Sequence, residues 1–262
     1  MSLNKSCALI SNDKQYWENQ FASCLEQKMK LAQASFFFEC FRKMIPEKFL
    51  IYCQDKQYSC CDFGCGLGNF TNNLYEIFPK FEIYGVDFSA NAINYAKKHF
   101  SKVSFLEVDL DNLSDDFDIM ITSNTLEHFS NPQIVVQKLL KHTKKYLIML
   151  VPYEERDLYE EHLFDFERDF FNANIGNFDL MYLKSIDLSA KFNTMWLGKQ
   201  IMAIYKSKDI ITDFPYEEHL QQKDFNFINK VNYKINLWRR NLYRCLRRCL
   251  INKRKIIKWC GE

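Results

Sequence analysis

Between residues 58 and 151 the chain alternates short apolar runs with longer stretches whose apolar residues recur every three or four positions. The runs are Ser59–Asp62, Glu82–Asp87, Val103–Glu107, Phe117–Thr122 and Lys145–Val151. Apolar runs of that length suit buried strands. The stretches between them, Asn69–Ile77, Asn91–Phe100 and Pro132–Thr143, carry helical spacing, and Asn131-Pro132 is a helix start with proline in the first turn. Strands alternating with helices predict βαβ units and a mainly parallel, doubly wound α/β sheet. In such a sheet the ligand lies at the carboxyl ends of the strands.

The flanks read differently. Residues 1–15 are polar and irregular in pattern. An aromatic-bearing segment, Tyr16–Phe21, precedes a helical pattern from Leu25 to Ile45, which Pro46 ends; residues 47–57 lead into the first strand. After Val151-Pro152 the chain turns acidic and aromatic, with a helix predicted over Glu160–Phe171. Two β-rich runs follow, Asp179–Leu188 and Thr194–Ser207. Beyond them Val231, Ile235, Trp238, Leu242, Cys245 and Cys249 mark an amphipathic helix flanked by Arg239, Arg240, Arg244, Arg247 and Arg248. This divides the chain into an N-terminal helical cap (1–57), a core (58–207) with a lid at 152–176, and a basic helical extension (208–262).

Composition narrows the class. A 262-residue chain that is 47% hydrophobic and 16% aromatic can bury a sizeable core, and seven glycines with five prolines leave little for flexible linkers. No run approaches 18 consecutive apolar residues, and the N-terminus lacks the pattern of a secretory leader, so a cytoplasmic protein is expected. Ten cysteines contain no Cys-x-x-Cys pair and read as reduced core residues. The net charge of +2 hides an asymmetry: residues 230–262 hold eleven Lys or Arg and one acid, which leaves the rest at −8. An acidic body argues against a nucleic-acid groove. The basic helix could lie on an anionic membrane surface, at the inner membrane face, or pack on the acidic body or a second subunit.

The chemistry is carried by Asp62-Phe63-Gly64-Cys65-Gly66-Leu67-Gly68, set between the first strand and the helix that follows. Gly64 and Gly66 allow backbone angles and close approaches that a β-carbon would block. Asp87 ends the second strand, 25 residues after Asp62, where an acid can accept hydrogen bonds from two ribose hydroxyls. With the segment Val103–Leu110 and the motif Phe117–Phe129 in register behind them, the chain resembles the class I S-adenosylmethionine-dependent methyltransferases over about residues 16–207. The resemblance implies a Rossmann-like seven-stranded, mainly parallel sheet, closed by the two late β-runs with the last strand antiparallel. It also implies S-adenosylmethionine as cofactor. Asp62 would orient the glycine turn or meet the cofactor's ammonium, Gly64 and Gly66 would pass its methionyl part, and Asp87 would hold the ribose. Phe88 would lie on the adenine, Asp109 and the Leu110 N–H would read its edge, and Ser123 with Asn124 would border the sulfonium. Tyr16 would close the site as a lid, or simply staple the first helix to the sheet.

Methyl transfer mainly requires positioning, and a hydroxyl acceptor also needs a base. His128, directly after the fourth strand, and His162, in the lid beside Glu160 and Glu161, are the base candidates. A metal held by Glu154, Glu155, Glu161 and His162 lacks a recognisable ligand spacing, so no metal site is expected. The Leu-Glu-His motif, Val-Pro-Tyr after the fifth strand and a lid histidine resemble methyltransferases of bacterial surface-polysaccharide (capsule) biosynthesis. That resemblance implies O-methylation of a nucleotide sugar or a phosphorylated capsule precursor. The alternatives are a tRNA or rRNA methyltransferase, for which Ser123–Leu126 lacks an Asn/Asp-Pro-Pro-aromatic turn, and a non-catalytic scaffold.

Overall fold

The computed structural model describes residues 12–22, 24–155, 159, 161–189, 194, 196–211, 215–220, 234–239 and 242. The chain divides into two compact units, residues 1–186 with 200–220, and residues 187–199 with 221–262. Of the expected basic amphipathic helix, residues 234–239 are helical, and most of the remainder lies outside the described residues. Within the second unit Asn236 Nδ2 donates to the Ser189 carbonyl at 3.2 Å. No helix among the described residues is long and apolar enough to cross a membrane.

The first unit opens with three helices, α1 (Lys14–Ala22), α2 (Cys24–Met44) and α3 (Glu47–Cys53). Then β1 (Ser59–Phe63), α4 (Asn69–Ile77), β2 (Glu82–Asp87), α5 (Ala90–His99) and β3 (Ser104–Glu107) follow in alternation. The pattern continues through β4 (Phe117–Ser123), α6 (Pro132–Lys141) and β5 (Thr143–Tyr153). Four later strands complete the sheet: β6 (Asn174–Ile175), β7 (Phe178–Asp187), β8 (Lys199–Ser207) and β9 (Glu217–His219). Their order is β3-β2-β1-β4-β5-β8-β7-β6, with β9 also pairing β7. The half from β3 to β5 is parallel throughout. The α/β doubly wound class is therefore as expected. The expected seven strands become nine, because two short segments, β6 and β9, add to β7.

Burial explains why the alternation was so regular. β1, β4 and β5 are covered on both faces, with Cys60, Cys61, Ile119, Met120, Ile121 and Tyr146 through Leu150 all excluded from water. Parallel strands in that position become continuous apolar runs instead of alternating ones. Cys53, Cys60, Cys61 and Cys65 are buried free thiols, and burial pushes the Cys53 thiol up to about 12, in keeping with inert packing.

Three expectations fail for identifiable reasons. Residues 13–15 were read as irregular, yet α1 begins at Lys14 and is started by Asp13, whose side chain accepts from Tyr16 N at 2.8 Å. Pro46 does end α2, but it also starts α3, whose Phe49 is fully buried edge-on against Tyr146 at 5.0 Å. Third, no helix forms among the described residues of 160–171 beyond a single 3-10 turn, Arg168–Phe170. Phe166, Phe170 and Phe171 instead enter the core, and the aromatic spacing that mimicked a helix face fills one end of it.

α2 is part of the body. Its final carbonyls have no helical partner, and β7 supplies them: Tyr182 Oη donates to Met44 O at 3.0 Å and Lys184 Nζ to Lys43 O at 3.1 Å. Phe38 and Phe41 meet Phe70 of α4 edge-on at 5.8 and 5.4 Å. Phe41 is completely buried, so Phe41→Ala should destabilise the protein by about 3–5 kcal/mol in urea unfolding. A loss below about 1 kcal/mol would mean that α2 contributes little to the folded body.

Candidate functional site

The glycine turn lies where β1 hands over to α4. Gly64, Gly66 and Gly68 have φ of 76°, 51° and 82°, the left-handed region in which a β-carbon is unfavourable. Space restricts Gly64 further, since a Cβ there would stand 2.4 Å from Thr125 Cγ2. The turn is tied down by two carboxylates. Asp62, 2% exposed, accepts from Thr71 Oγ1 of α4 at 2.6 Å. Asp87, 7% exposed, accepts from Gly66 N and from Ser89 N, both at 2.9 Å. Burial pushes Asp62 up to about 7, with the Thr71 hydroxyl opposing, and pushes Asp87 up to about 6, with the Ser89, Gly66 and Phe88 amides opposing.

α1 lies against this turn. Trp17, Phe21, Leu67 and Ala92 form one apolar cluster, with Tyr16, Leu31, Phe88 and Tyr95 packed on it. Its register is fixed by Glu18, which sits on the first turn of α5. Glu18 accepts from Ala90 N at 2.8 Å, Asn91 N at 3.1 Å and Ser89 Oγ at 2.9 Å. Burial works to raise its pKa, but those amides and the hydroxyl hold it below the usual carboxylate range. Free amides and the helix dipole make that terminus a natural place for a carboxylate.

A second cluster follows β4. Asn124, at φ 50°, turns the chain into a 3-10 turn, Leu126–His128, and its N–H is held by Leu150 O at 2.8 Å. The loop after β5 returns to this point: Leu163 N donates to Glu127 O at 2.8 Å. His128 and His162 then meet edge-on at 5.2 Å, and Trp17 covers His128 at 4.8 Å. His128 Nδ1 donates to Glu161 O at 2.8 Å, and His162 Nδ1 donates to Glu155 Oε2 at 2.7 Å. Glu161 ties the cluster to α1 and α2, accepting from Tyr16 Oη at 2.5 Å and lying 3.9 Å from Lys30 Nζ. Burial and the neighbouring His162 push His128 down to about 3, so its ring is neutral. Burial also works against charge on His162, but the Glu155 hydrogen bond and the Glu127 carboxylate outweigh it and raise its pKa. Glu127, 1% exposed, is pushed up to about 7 by burial.

Residues 54–168, which span the glycine turn and both histidines, match a protein family described as a methyltransferase domain. Over these residues the chain is similar to methyltransferase domains. A malonyl-[acyl-carrier protein] O-methyltransferase of Bacillus cereus is 28% identical over 130 residues, covering 48% of each chain. The enzyme of the same name from Bacillus cytotoxicus is 33% identical over 85 residues, 31% of this chain and 30% of that protein. The chain thus spans from under a third to about half of the length of these curated relatives. Magnesium protoporphyrin IX methyltransferase from Synechocystis PCC 6803, solved with bound S-adenosylhomocysteine, shares the fold. Its TM-score is 0.54 at 12% identity, over 74% of this chain and 98% of that one. These relatives are not capsule enzymes, and the expected resemblance to surface-polysaccharide methyltransferases is corrected to that extent.

Within residues 54–168, β1, β2 and β4 are neighbours in register, Phe63 facing Val86 and Thr122. Asp62, Gly64, Gly66, Asp87, Phe88 and Ser123 therefore lie at the carboxyl ends of these strands. Asp62 is turned inward onto Thr71 of α4. Asp109 is exposed, and its Oδ1 caps its own 3-10 turn through Asp111 N, Asn112 N and Asn112 Nδ2; Leu110 beside it is half-buried. Tyr16 uses its hydroxyl on Glu161. His128 and His162, expected as separate candidates, belong to one cluster. Glu18 and Glu127 were missed as site residues. Glu18 acts 72 residues away, on Ala90, and no local pattern signals that; Glu127 lay inside the recognised motif without an assigned role.

The steric difference between the two glycines predicts an order of effects. Gly64→Ala meets Thr125 and should destabilise by about 1–3 kcal/mol through overpacking, besides its φ strain. At Gly66 a Cβ would meet only the edge of Phe21 at 3.4 Å, so Gly66→Ala should cost less. Urea unfolding of the two variants checks the order, and an equal or reversed loss would contradict it.

Proposed function

We propose that the chain transfers the methyl group of S-adenosylmethionine to an oxygen of a small acceptor. The observation that carries this reading is the Asp87 carboxylate, buried at the tip of β2 and bound to the glycine turn. A carboxylate has about four acceptor positions, and burial has pushed this one up to about 6. It is therefore under-solvated and suited to further donors such as a pair of ribose hydroxyls. Phe88, half-buried in the α1 cluster, offers a face for the adenine. Ser123 and Asn124, at the end of β4, stand where the methionyl side would pass. When bound, S-adenosylmethionine supplies an electrophilic methyl on a good leaving group; the chain's task is to hold the acceptor in line.

The acceptor oxygen meets the cluster of Glu127, His128 and His162. A hydroxyl has a proton to lose, and this cluster, backed by Glu155 and Glu161, is built to manage it. Nucleotide sugars and phosphorylated precursors are acceptors of this chemistry. The names of the curated relatives favour a second reading, a carboxylate on a carrier-linked acyl chain. A carboxylate needs no base, whereas this cluster is equipped to take a proton, so the hydroxyl reading is preferred.

Two measurements test the proposal. Calorimetry with S-adenosylhomocysteine should show binding at pH 7.5 that Asp87→Asn weakens at least tenfold. Because the ribose hydroxyls would favour the ionised Asp87, wild-type affinity should be full above pH 6 and fall by up to about tenfold per unit below it. A pH-independent affinity would remove Asp87 from the ribose.

A methyl-transfer screen over nucleotide sugars, phosphorylated metabolites and malonyl thioesters should then identify the acceptor class. With a hydroxyl acceptor, His162→Ala should lower turnover about 10²-fold or more while changing cofactor affinity less than twofold. Full turnover on a malonyl thioester in that variant would favour the carboxylate reading.

A further inference from the structure

The side chains of Glu127, His128 and His162 each bring one ligand atom within 4.8 Å of the other two. Five features of this group bear on what it holds. First, one oxygen of Glu127, Oε2, is buried and has no hydrogen-bond partner among the described residues, although the residue is only 1% exposed. An orphaned carboxylate oxygen is costly away from water unless something positive meets it.

Second, both imidazoles are already committed at one nitrogen. His128 Nδ1 donates to the Glu161 carbonyl and His162 Nδ1 to the Glu155 carboxylate. The other nitrogen of the His162 ring, Nε2, stands 4.0 Å from Glu127 Oε1. Metal-bound histidines are oriented in this way, the far ring nitrogen donating to a carboxylate or a backbone carbonyl.

Third, the charge is one-sided: the Glu155 and Glu127 carboxylates stand 2.7 and 4.0 Å from the His162 ring, and the Glu161 carboxylate lies 3.9 Å from Lys30 Nζ. Fourth, the backbone is fixed where the ligands attach. Glu127 O accepts from Leu163 N, and Asn12 Nδ2 donates to Glu161 O at 2.6 Å. Fifth, the spacing is close to coordination. Ligands about 2.1 Å from one ion stand roughly 3–3.5 Å apart, so the 4.0 Å pair needs to close by about 1 Å at most, and no pair, all lying within 4.8 Å, by more than about 2 Å.

We propose that Glu127, His128 and His162 form a binding site for one divalent cation of the first transition row. Two imidazoles and one carboxylate select zinc, cobalt, iron or manganese over magnesium and calcium, which prefer oxygen ligands alone. Three protein ligands leave positions open for water or an acceptor oxygen. This extends the proposed methyl transfer: the cation would orient the acceptor hydroxyl and lower its pKa, so that its proton passes to water in place of direct removal by an imidazole. It also replaces the expectation that the chain has no metal site.

The test is cation binding by the chelator-treated full chain, without cofactor or acceptor. Titration with Zn²⁺ and with Co²⁺ should give one site, in calorimetry and in the visible Co²⁺ spectrum, and Mg²⁺ should bind at least 100-fold more weakly. Glu127→Gln and His162→Asn, checked for folding by circular dichroism, should each weaken the site at least tenfold. Glu155→Ala, one shell further out, should weaken it about 10–100-fold.

A second measurement needs only the wild-type protein. In imidazole nitrogen NMR, Zn²⁺ should shift His128 and His162 and leave His99, His142 and His219 unchanged. No one-site binding, unchanged affinity in both variants, or shifts confined to the other three histidines would overturn the proposal. Binding of S-adenosylhomocysteine, measured on the same preparation, reports separately on the methyl-transfer reading.

Discussion

A carboxylate withdrawn from water at the tip of β2 holds together the parts from which the site is built. One oxygen of Asp87 takes the Gly66 amide and so positions the turn after β1; the other takes the Ser89 amide and so positions the start of α5. Neither loop could reach its place independently, because both bonds come from a single side chain with little freedom. The cost is a carboxylate whose pKa is pushed up to about 6 by burial. A buried group left partly unsatisfied in this way stores a preference for a ligand that donates hydrogen bonds, and that preference connects the fold to its proposed chemistry.

Around this point α1 acts as a bridge. Glu18 caps α5 on one side, while Tyr16 and Trp17 reach Glu161 and His128 on the other. The region proposed for the ribose and the cluster proposed for the acceptor are therefore linked through nine residues of one helix. The loop after β5 is equally committed: Phe166, Phe170 and Phe171 anchor it in the core, and Leu163 N and His162 fasten it to the turn after β4. The described part of the segment expected to be a lid is held by apolar burial.

How much of this the sequence showed follows from the range of the interactions. The strands and helices from β1 to β5 were legible because double-sided burial writes continuous apolar runs, and Asn69–Ile77 and Glu82–Asp87 were placed to the residue. The glycine turn and Asp87 were legible because their chemistry is local to one βαβ unit. The missing helix at 160–171 was illegible, since four phenylalanines at helix-like spacing can equally well fill a core end. Glu18 was illegible for a related reason: its role is set by Ala90 and Asn91, far along the chain. His128 and His162 could each be suspected alone, but their meeting depends on the Glu127–Leu163 backbone bond, which no spacing reveals.

The most direct test of the account is a crystal structure of the chain grown with S-adenosylhomocysteine. The account predicts both ribose hydroxyls within hydrogen-bond distance of Asp87, the adenine beside Phe88, and the sulfur between Ser123 and the histidine cluster. A nucleoside bound elsewhere, or a ribose turned away from Asp87 with the Gly66 and Ser89 bonds intact, would contradict it.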